Sequence, residues 1–441
     1  MSIKRFYNKY YLKVNKSTLL KGMLVYSFGS LGSRAINMAI YPILTFFLLK
    51  AELGYYDLII NTIYLVVPLV TFQLADGIFR MILPIKDNKE IKKIISPGIT
   101  LIIYSTFILL TIILLTVMSF STVQYNILVF LMAVFFAFNI SLKQIIRGLK
   151  KNRIYVISDI VYSFSFVMLL LMFLKFFGTN LKGALFSFVI ANTFSIMYLI
   201  TSSKLWLYFK YQLIPDKTII IRLLKYSMPL IPNALSWWLV GSINTWIILF
   251  MLGLEANGIY GLAFKFSSII YIFNKIFSLA WQDKVILEKE NDAQYNSKVF
   301  NNLLFFLLSM VVLIILFMKP ILRIIVAQEY FEVWKYIPWL LIATVFASTS
   351  SYFGAFYLSW KKTNIIFITT LSGAIITIIL SLFLTKYYGL LGTSLAVCSG
   401  FFVITVLRYL NTRKQLKLKI NPFLLIPMTI IGIAIGTNYY L

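Results

Sequence analysis

Residues 22–84 decide the fold. They read GMLVYSFGSLGSRAINMAIYPILTFFLL (22–49), KAELGYYD (50–57) and LIINTIYLVVPLVTFQLADGIFRMILP (58–84). The first and third pieces are each longer than the ~20 apolar residues a helix needs to cross a hydrocarbon core. One cation, Arg34, lies near the middle of the first. The pattern returns in the second half as YSMPLIPNALSWWLVGSINTWIILFMLG (226–253), LEANGIYG (254–261) and LAFKFSSIIYIFNKIFSLAWQ (262–282). A charge at membrane depth and a repeated half are the two facts to explain.

Working outward, the rest of the chain has the same character. Of 441 residues, 60% are hydrophobic and only 12% are charged, about half the charged share of an ordinary soluble domain. The apolar blocks are too long and too many for core helices, and too long for the roughly 10-residue strands of a membrane barrel. The sequence therefore predicts an all-α polytopic membrane protein, with thirteen spans running from 22–48 to 421–440. The first apolar block is too long for a cleaved signal peptide and reads as an uncleaved span.

The net charge of +27 would suggest nucleic acid in a soluble protein. Here its natural owners are cytoplasmic loops, and no nucleic-acid partner is expected. With the N-terminus inside, the inner loops carry roughly four times as many Lys and Arg as the outer ones, the bias expected of an inner or plasma membrane protein. Arg408 counts among the inner set. The chain has no His, so imidazole ligands and imidazole proton relays are excluded. Its one cysteine, Cys398, can form no internal disulfide.

Tyr26–Ser27 matches Tyr226–Ser227, Gly54-Tyr55-Tyr56 matches Gly258-Ile259-Tyr260, and GTNLKGALF (178–186) resembles YGLLGTSLA (388–396). Six spans plus six of the same hand predict two six-helix bundles related by a pseudo-two-fold axis along the membrane normal, with a C-terminal extra helix. The expected division is a basic cytoplasmic N-terminus (1–21), a first bundle (22–204), a cytoplasmic linker (205–225), a second bundle (226–412), and a basic linker with the extra helix (413–441). Gly54, Pro97–Gly98, Gly178, Gly258, Pro320 and Gly389 are read as breaks between spans.

Ser27, Ser30, Arg34, Asn37 and Tyr41 recur every three or four residues and form one polar stripe on a helix. A guanidinium at mid-membrane is expensive against lipid. It stays protonated and forks onto phosphate or carboxylate oxygens, so Arg34 is expected to coordinate an anion in a central cavity. A structural ion pair with Asp57, Asp76 or Asp159 is the alternative. Lys265 and Lys275 lie on one stripe of the eighth span, Lys275 the deeper, and read as rungs of an anion path; snorkelling of Lys265 from near the outer end, or packing against acids of neighbouring spans, is the alternative. Asn61 shares a face with Asp57, Tyr64 and Thr71 and is placed on the cavity wall. Asn233 and Trp237 are candidates for hydrogen bonding and stacking on sugar rings. Asp76 and Arg80, four residues apart, are expected to pair within their helix. Lys143 and Arg147 end the fourth span, either as positive-inside anchors or as anion contacts at the cytoplasmic mouth. No metal-ligand spacing, nucleophile–base pair or phosphate loop is present, so an enzyme is not expected, and no cofactor beyond a coupling ion, Na⁺ or H⁺.

GYYD followed by PLVTFQLADGIFR, YSMPLIPNALSWW at the start of the second half, NGIYGLAFKFSSI, and YLSWKKTNIIFITTLSGAIITIIL (357–380) resemble the Wzx-type polysaccharide flippases. These belong to the multidrug/oligosaccharidyl-lipid/polysaccharide exporter superfamily, whose other members include the MATE-like transporters. The resemblance covers residues 20–412. It implies export of undecaprenyl-diphosphate-linked oligosaccharide repeat units, as in lipopolysaccharide, capsule or teichoic-type polymers, from the cytoplasmic to the outer leaflet. Membrane lipids, a polysaccharide polymerase and chain-length machinery are the partners it implies. Two other functions compete. A cation-coupled drug antiporter of the same superfamily would want a carboxylate in the first-half cavity, where the first span offers Arg34 and no acid. A membrane-embedded polysaccharide polymerase would want a sizeable outer loop, and the outer loops are short.

Overall fold

The computed structural model describes residues 40–120, 125–176, 178, 180–288, 292–360 and 362–440. Arg34 and Asn37 lie outside these residues. Regular structure among the described residues is helical throughout. After a helical segment at 40–45 come α1 (Lys50–Val70), α2 (Leu74–Ile82), α3 (Asn88–Phe120), α4 (Asn126–Gly148), α5 (Asn152–Leu171), α6 (Asn180–Ser203) and α7 (Lys217–Ser227). These are followed by α8 (Leu230–Ser267), α9 (Ile269–Glu288), α10 (Ala293–Ile325), α11 (Ile337–Ser359), α12 (Thr363–Leu416) and α13 (Leu425–Tyr440). Nine helical stretches among them are long and apolar enough to cross a bilayer. Two of these, at 51 and 53 residues, are long enough to cross twice. Their kinks fall at Gly253 (φ 86°) and Gly389 (φ 56°), backbone angles that favour glycine. This is a multi-pass, all-α membrane protein.

Gly389 and Gly178 (φ 56°) turn the chain as their composition suggests. Gly54 and Gly258 do not. Both lie inside helices, and the second-half break falls earlier, at Gly253. A Cβ on Gly54 would sit 1.9 Å from the Leu254 carbonyl oxygen, and one on Gly258 would sit 2.2 Å from that of Lys50. These two repeat-related glycines are contact points where α1 and α8 pass backbone to backbone. Pro97–Gly98 and Pro320 likewise fall within α3 and α10. The second span is interrupted between α1 and α2, where Phe72 and Gln73 take left-handed φ angles of 49° and 52°.

By contact the chain falls into two compact units. One contains Val67–Ile231. The other joins Met38–Val66 to Pro232–Leu441, whereas the sequence places all of 22–204 in the first bundle. The physical reason lies in 45–61. Besides the glycine crossing, the Thr45 hydroxyl accepts the Ala327 N–H (3.1 Å), Tyr330 donates to the Leu48 carbonyl (2.7 Å), and Lys50 pairs with Glu332 (2.8 Å). Burial, with Glu329 and Glu52 nearby, raises the Tyr330 phenol.

The first unit packs α2 on α3, α4 and α7 through Leu74, Ile78, Ile82, Ile95, Ile145 and Leu223. In the second unit, Trp281 stacks on Tyr352 at 4.9 Å between α9 and α11. Arg408, expected among the cytoplasmic loop charges, is 2% exposed. Its guanidinium donates to the Thr369 hydroxyl (3.1 Å), the Ser350 carbonyl (2.9 Å), the Thr370 hydroxyl (3.0 Å) and the Ile366 carbonyl (3.5 Å). A buried charge is tolerable only with its donors satisfied, and here neutral oxygens of α11 and α12 satisfy them. Arg408→Ala strips four acceptors of their donor. At about 1.5–3 kcal/mol for a hydrogen bond to a charged group, the purified protein should melt several degrees lower, with Arg408→Lys intermediate. An unchanged melting temperature would show that the clamp carries no stability.

Candidate functional site

A polar cluster surrounds Asp57, in the second unit. Asp57 is one turn beyond Gly54 on α1, so it follows the glycine crossing into the helix interface, where it is 3% exposed. Tyr41 donates its hydroxyl to Asp57 Oδ1 at 2.6 Å. Asn61, one turn further along α1, donates to Asp57 Oδ2 at 2.8 Å and to the Thr245 hydroxyl at 3.3 Å. Trp238 Nε1 donates to the Asn61 carbonyl at 2.7 Å. The Lys265 ammonium lies over the Tyr41 ring, 4.8 Å from its centroid, a favourable cation–π distance. Its charge also acts on Asp57. The carboxyl group fits because residue 261 is glycine: a Cβ there would lie 2.8 Å from Asp57 Cγ.

The cluster carries the signature of the internal repeat. The offset that relates Gly54 to Gly258 also relates Tyr41 to Thr245, Asp57 to Gly261 and Asn61 to Lys265. Lys265 on Tyr41 and Asn61 on Thr245 are therefore the same contact made twice, once from each half. The repeat preserves the backbone crossing and exchanges the chemistry. Two groups beside it, the Tyr260 hydroxyl and Asn257 Oδ1, are buried with no hydrogen-bond partner among the described residues. The other end of the Asn257 amide donates to the Gly54 carbonyl (3.0 Å).

The remaining candidates scatter. Asn233 and Trp237 are exposed; the indole that reaches the cluster is that of the next residue, Trp238. Lys275 is exposed on α9, a different helix from Lys265, because α8 ends at Ser267 and α9 begins at Ile269. Lys143 does not stand open at a mouth. It forms an ion pair with Asp159 across α4 and α5, and Arg147 lies exposed over the Phe79 ring at 4.9 Å. Asp76 does not pair with Arg80 within α2; it accepts from Gln144 Nε2 at 2.6 Å instead. A further lateral groove of 310 Å³ between α9 and α10 is apolar apart from Asn274 and Asn302. Among the described residues no group of His, Cys, Asp and Glu could hold a metal ion.

Thr245 and Trp238 are not singled out by sequence, and Tyr260 enters only as part of the repeat match. The signal that could have found them is the repeat itself: extending the Gly54–Gly258 alignment in both directions reaches Thr245 and Gly261 directly.

The family model described as polysaccharide biosynthesis protein matches residues 19–281, more than half of the chain, and the chain belongs to that family. No curated protein sequence matches it. Among solved structures, an inward-facing multidrug resistance MATE transporter of the MOP superfamily aligns with a TM-score of 0.69 at 16% identity, over 87% of this chain and 94% of its own. The lipid II flippase MurJ, in an inward closed conformation, aligns at 0.67 and 16% identity over 95% and 99%. A MOP superfamily transporter from Pyrococcus furiosus with a binding pocket of reverse polarity aligns at 0.58 and 17%, over 90% and 95%. The fold is that of the MOP transporters.

In Asp57→Ala, Tyr41 and Asn61 lose their acceptor and Lys265 its counter-charge. Function in vivo, read as polysaccharide produced at matched protein level, should fall at least tenfold, about 1.4 kcal/mol or more. Tyr41→Phe keeps the ring under Lys265 and should fall less. Wild-type polysaccharide in Asp57→Ala would remove the cluster from the functional site.

Proposed function

We propose that this protein is a flippase that moves undecaprenyl-diphosphate-linked oligosaccharide repeat units from the cytoplasmic to the outer leaflet by alternating access. The observation that carries the reading is the half-buried Lys265, held on Tyr41 and within electrostatic reach of Asp57, in a chain of the polysaccharide biosynthesis family. Carrying sugar hydroxyls through hydrocarbon uncovers each at a cost of several kcal/mol, and a diphosphate costs far more. Polar walls with Arg34 and Asn37, Asn61, Lys265 and Lys275 would offset both, while the polyprenyl chain remains in lipid. Asn233 and Trp237 then meet sugars at the entrance. The protein acts as a transporter without bond-making chemistry, in the inner or plasma membrane with its N-terminus cytoplasmic. Its direct partner is the lipid-linked substrate, with a polymerase and chain-length machinery downstream.

Asp57 also favours a second reading, a cation-coupled antiporter of small molecules. Sequence argues against that function because the first span lacks an acid, but α1 supplies a buried one to the same region.

A deletion strain separates the two. Under the flippase reading, repeat units accumulate on polyprenyl diphosphate and stay inaccessible to reagents outside spheroplasts. Arg34→Ala restores protein but less than a tenth of the surface polymer. An antiporter leaves the polymer intact and changes drug tolerance instead. Single units on the outer leaflet without chain growth would indicate a polymerase and overturn the proposal.

A further inference from the structure

The segment between α6 and α8, residues 204–229, has a surface unlike the loops around it. It lies wholly within the first unit and is tethered at both ends to membrane-crossing helices. Trp206, Leu207, Leu213, Ile214 and Ile221 are each more than half exposed, Leu213 by 75% and Ile214 by 88%. Lys204, Lys210, Lys217, Arg222 and Lys225 are exposed beside them. The segment has one acid, Asp216, whose carboxylate caps α7 by accepting the N–H groups of Thr218 (2.8 Å) and Ile219 (3.3 Å).

The exposed apolar residues are held in place. The Lys210 N–H donates to the Ser96 hydroxyl (3.0 Å). Tyr211 and Tyr104 join through their hydroxyls (2.7 Å), and Tyr104 donates to the Leu213 carbonyl (3.0 Å). Ser96 and Tyr104 are two turns apart on α3, about 12 Å at 1.5 Å per residue. The stretch 210–213 therefore runs along α3 in the direction that leads from the loop end toward the apolar body of that helix. Behind it, Leu223 of α7 is fully buried against Gly77 and Gly98, which turns Ile221, Arg222 and Lys225 outward. Near Lys204, Lys151 of the preceding loop donates to the Ser203 carbonyl (2.6 Å). Burial and then the charge of Lys204 lower the Lys151 ammonium, the mark of crowded like charge. The cations stand on the side of the membrane where this chain concentrates Lys and Arg.

We propose that residues 204–225 form a membrane-surface element that inserts Leu213 and Ile214 into the acyl boundary of its own leaflet and binds the headgroups of anionic phospholipids through Lys204, Lys210, Lys217, Arg222 and Lys225. Apolar side chains flanked by basic ones on an element too short to span are what an interfacial anchor requires. Five cations against one engaged acid select an anionic surface over a zwitterionic one. The element ties the connection between the two halves to the bilayer plane, so lipid composition would set how freely that connection moves. The surface shares no residue with the Asp57 cluster, and its test is independent of the transported substrate.

The full-length protein carrying Cys398→Ser and Ile214→Cys, labelled at residue 214 with an environment-sensitive fluorophore, is placed in nanodiscs of phosphatidylcholine alone or with one quarter phosphatidylglycerol. Quenching by aqueous iodide should fall at least threefold when phosphatidylglycerol is present. Quenching by nitroxide-labelled lipid should rise, and high salt should weaken the difference. Replacing the five cations by Gln, all at exposed positions, should abolish the dependence on phosphatidylglycerol. A label that stays open to iodide in both lipids overturns the proposal. So does one immersed equally in both, or a Gln variant that still responds to phosphatidylglycerol.

Discussion

The approach of α1 and α8 at Gly54 and Gly258 is the constraint on which the polar interior of the second unit depends. Neither position has room for a Cβ. The lack of side chains at both lets two helices touch through backbone, and every polar contact described around Asp57 lies within two turns of that point on α1 or reaches it from α8 and residue 41. Move the helices apart by one methyl group and Asp57 no longer lies against Gly261, nor Asn61 against Thr245. In hydrocarbon, helix association has no hydrophobic drive of its own, so close packing of small residues and interhelical hydrogen bonds must supply it. Gly54 and Gly258 provide the first, and Asn257, donating to the Gly54 carbonyl, the second.

The chain meets the cost of buried charge in three ways, and the differences separate structure from function. Lys143 and Asp159, both partly exposed, neutralise each other across α4 and α5. Arg408 is enclosed by hydroxyl and carbonyl oxygens that take up its N–H groups. The Asp57 cluster differs: two buried polar atoms beside it lack partners among the described residues, and its cation rests on an aromatic face. Incomplete satisfaction in a low dielectric is costly.

The class of the fold is legible in the sequence because hydrocarbon leaves little choice: long apolar blocks must be helices, and bilayer thickness sets their length. The repeat is legible at Gly54 and Gly258, but glycine has two uses, a turn and a close approach, and composition does not distinguish them. Reading both as turns misplaces the second-half break, which lies at Gly253, and separates α1 from the helices it packs against. Pairing is less legible still. Asp76 and Arg80 have ideal helical spacing, yet Asp76 accepts from Gln144 of another helix while Arg80 stands exposed. Trp237 and Trp238 are indistinguishable by type, and only the rotation of α8 decides which one reaches Asn61. Asp57 appeared in the sequence as a partner for Arg34; its role at the centre of a cluster emerges only when Tyr41, Asn61 and Lys265 converge from three segments.

The repeat also explains why the cluster is asymmetric. At the positions that face each other across the crossing, one half carries Asp57 and Asn61 and the other carries Gly261 and Lys265. Had both copies kept an acid, two carboxylates would crowd one dry space; had both kept glycine, Lys265 would lack a counter-charge. Divergence gave the acid to one helix and the cation to the other, so the cluster is balanced only while α1 and α8 are in contact. Parting them would leave Lys265 on one helix and Asp57 on the other, each facing a medium in which a bare charge is unstable. A ligand bearing an anionic group lowers that cost at Lys265, and a cation or a proton lowers it at Asp57. The proposed diphosphate has the sign that Lys265 requires, and under that proposal its binding would act on the same contact that holds the two helices together.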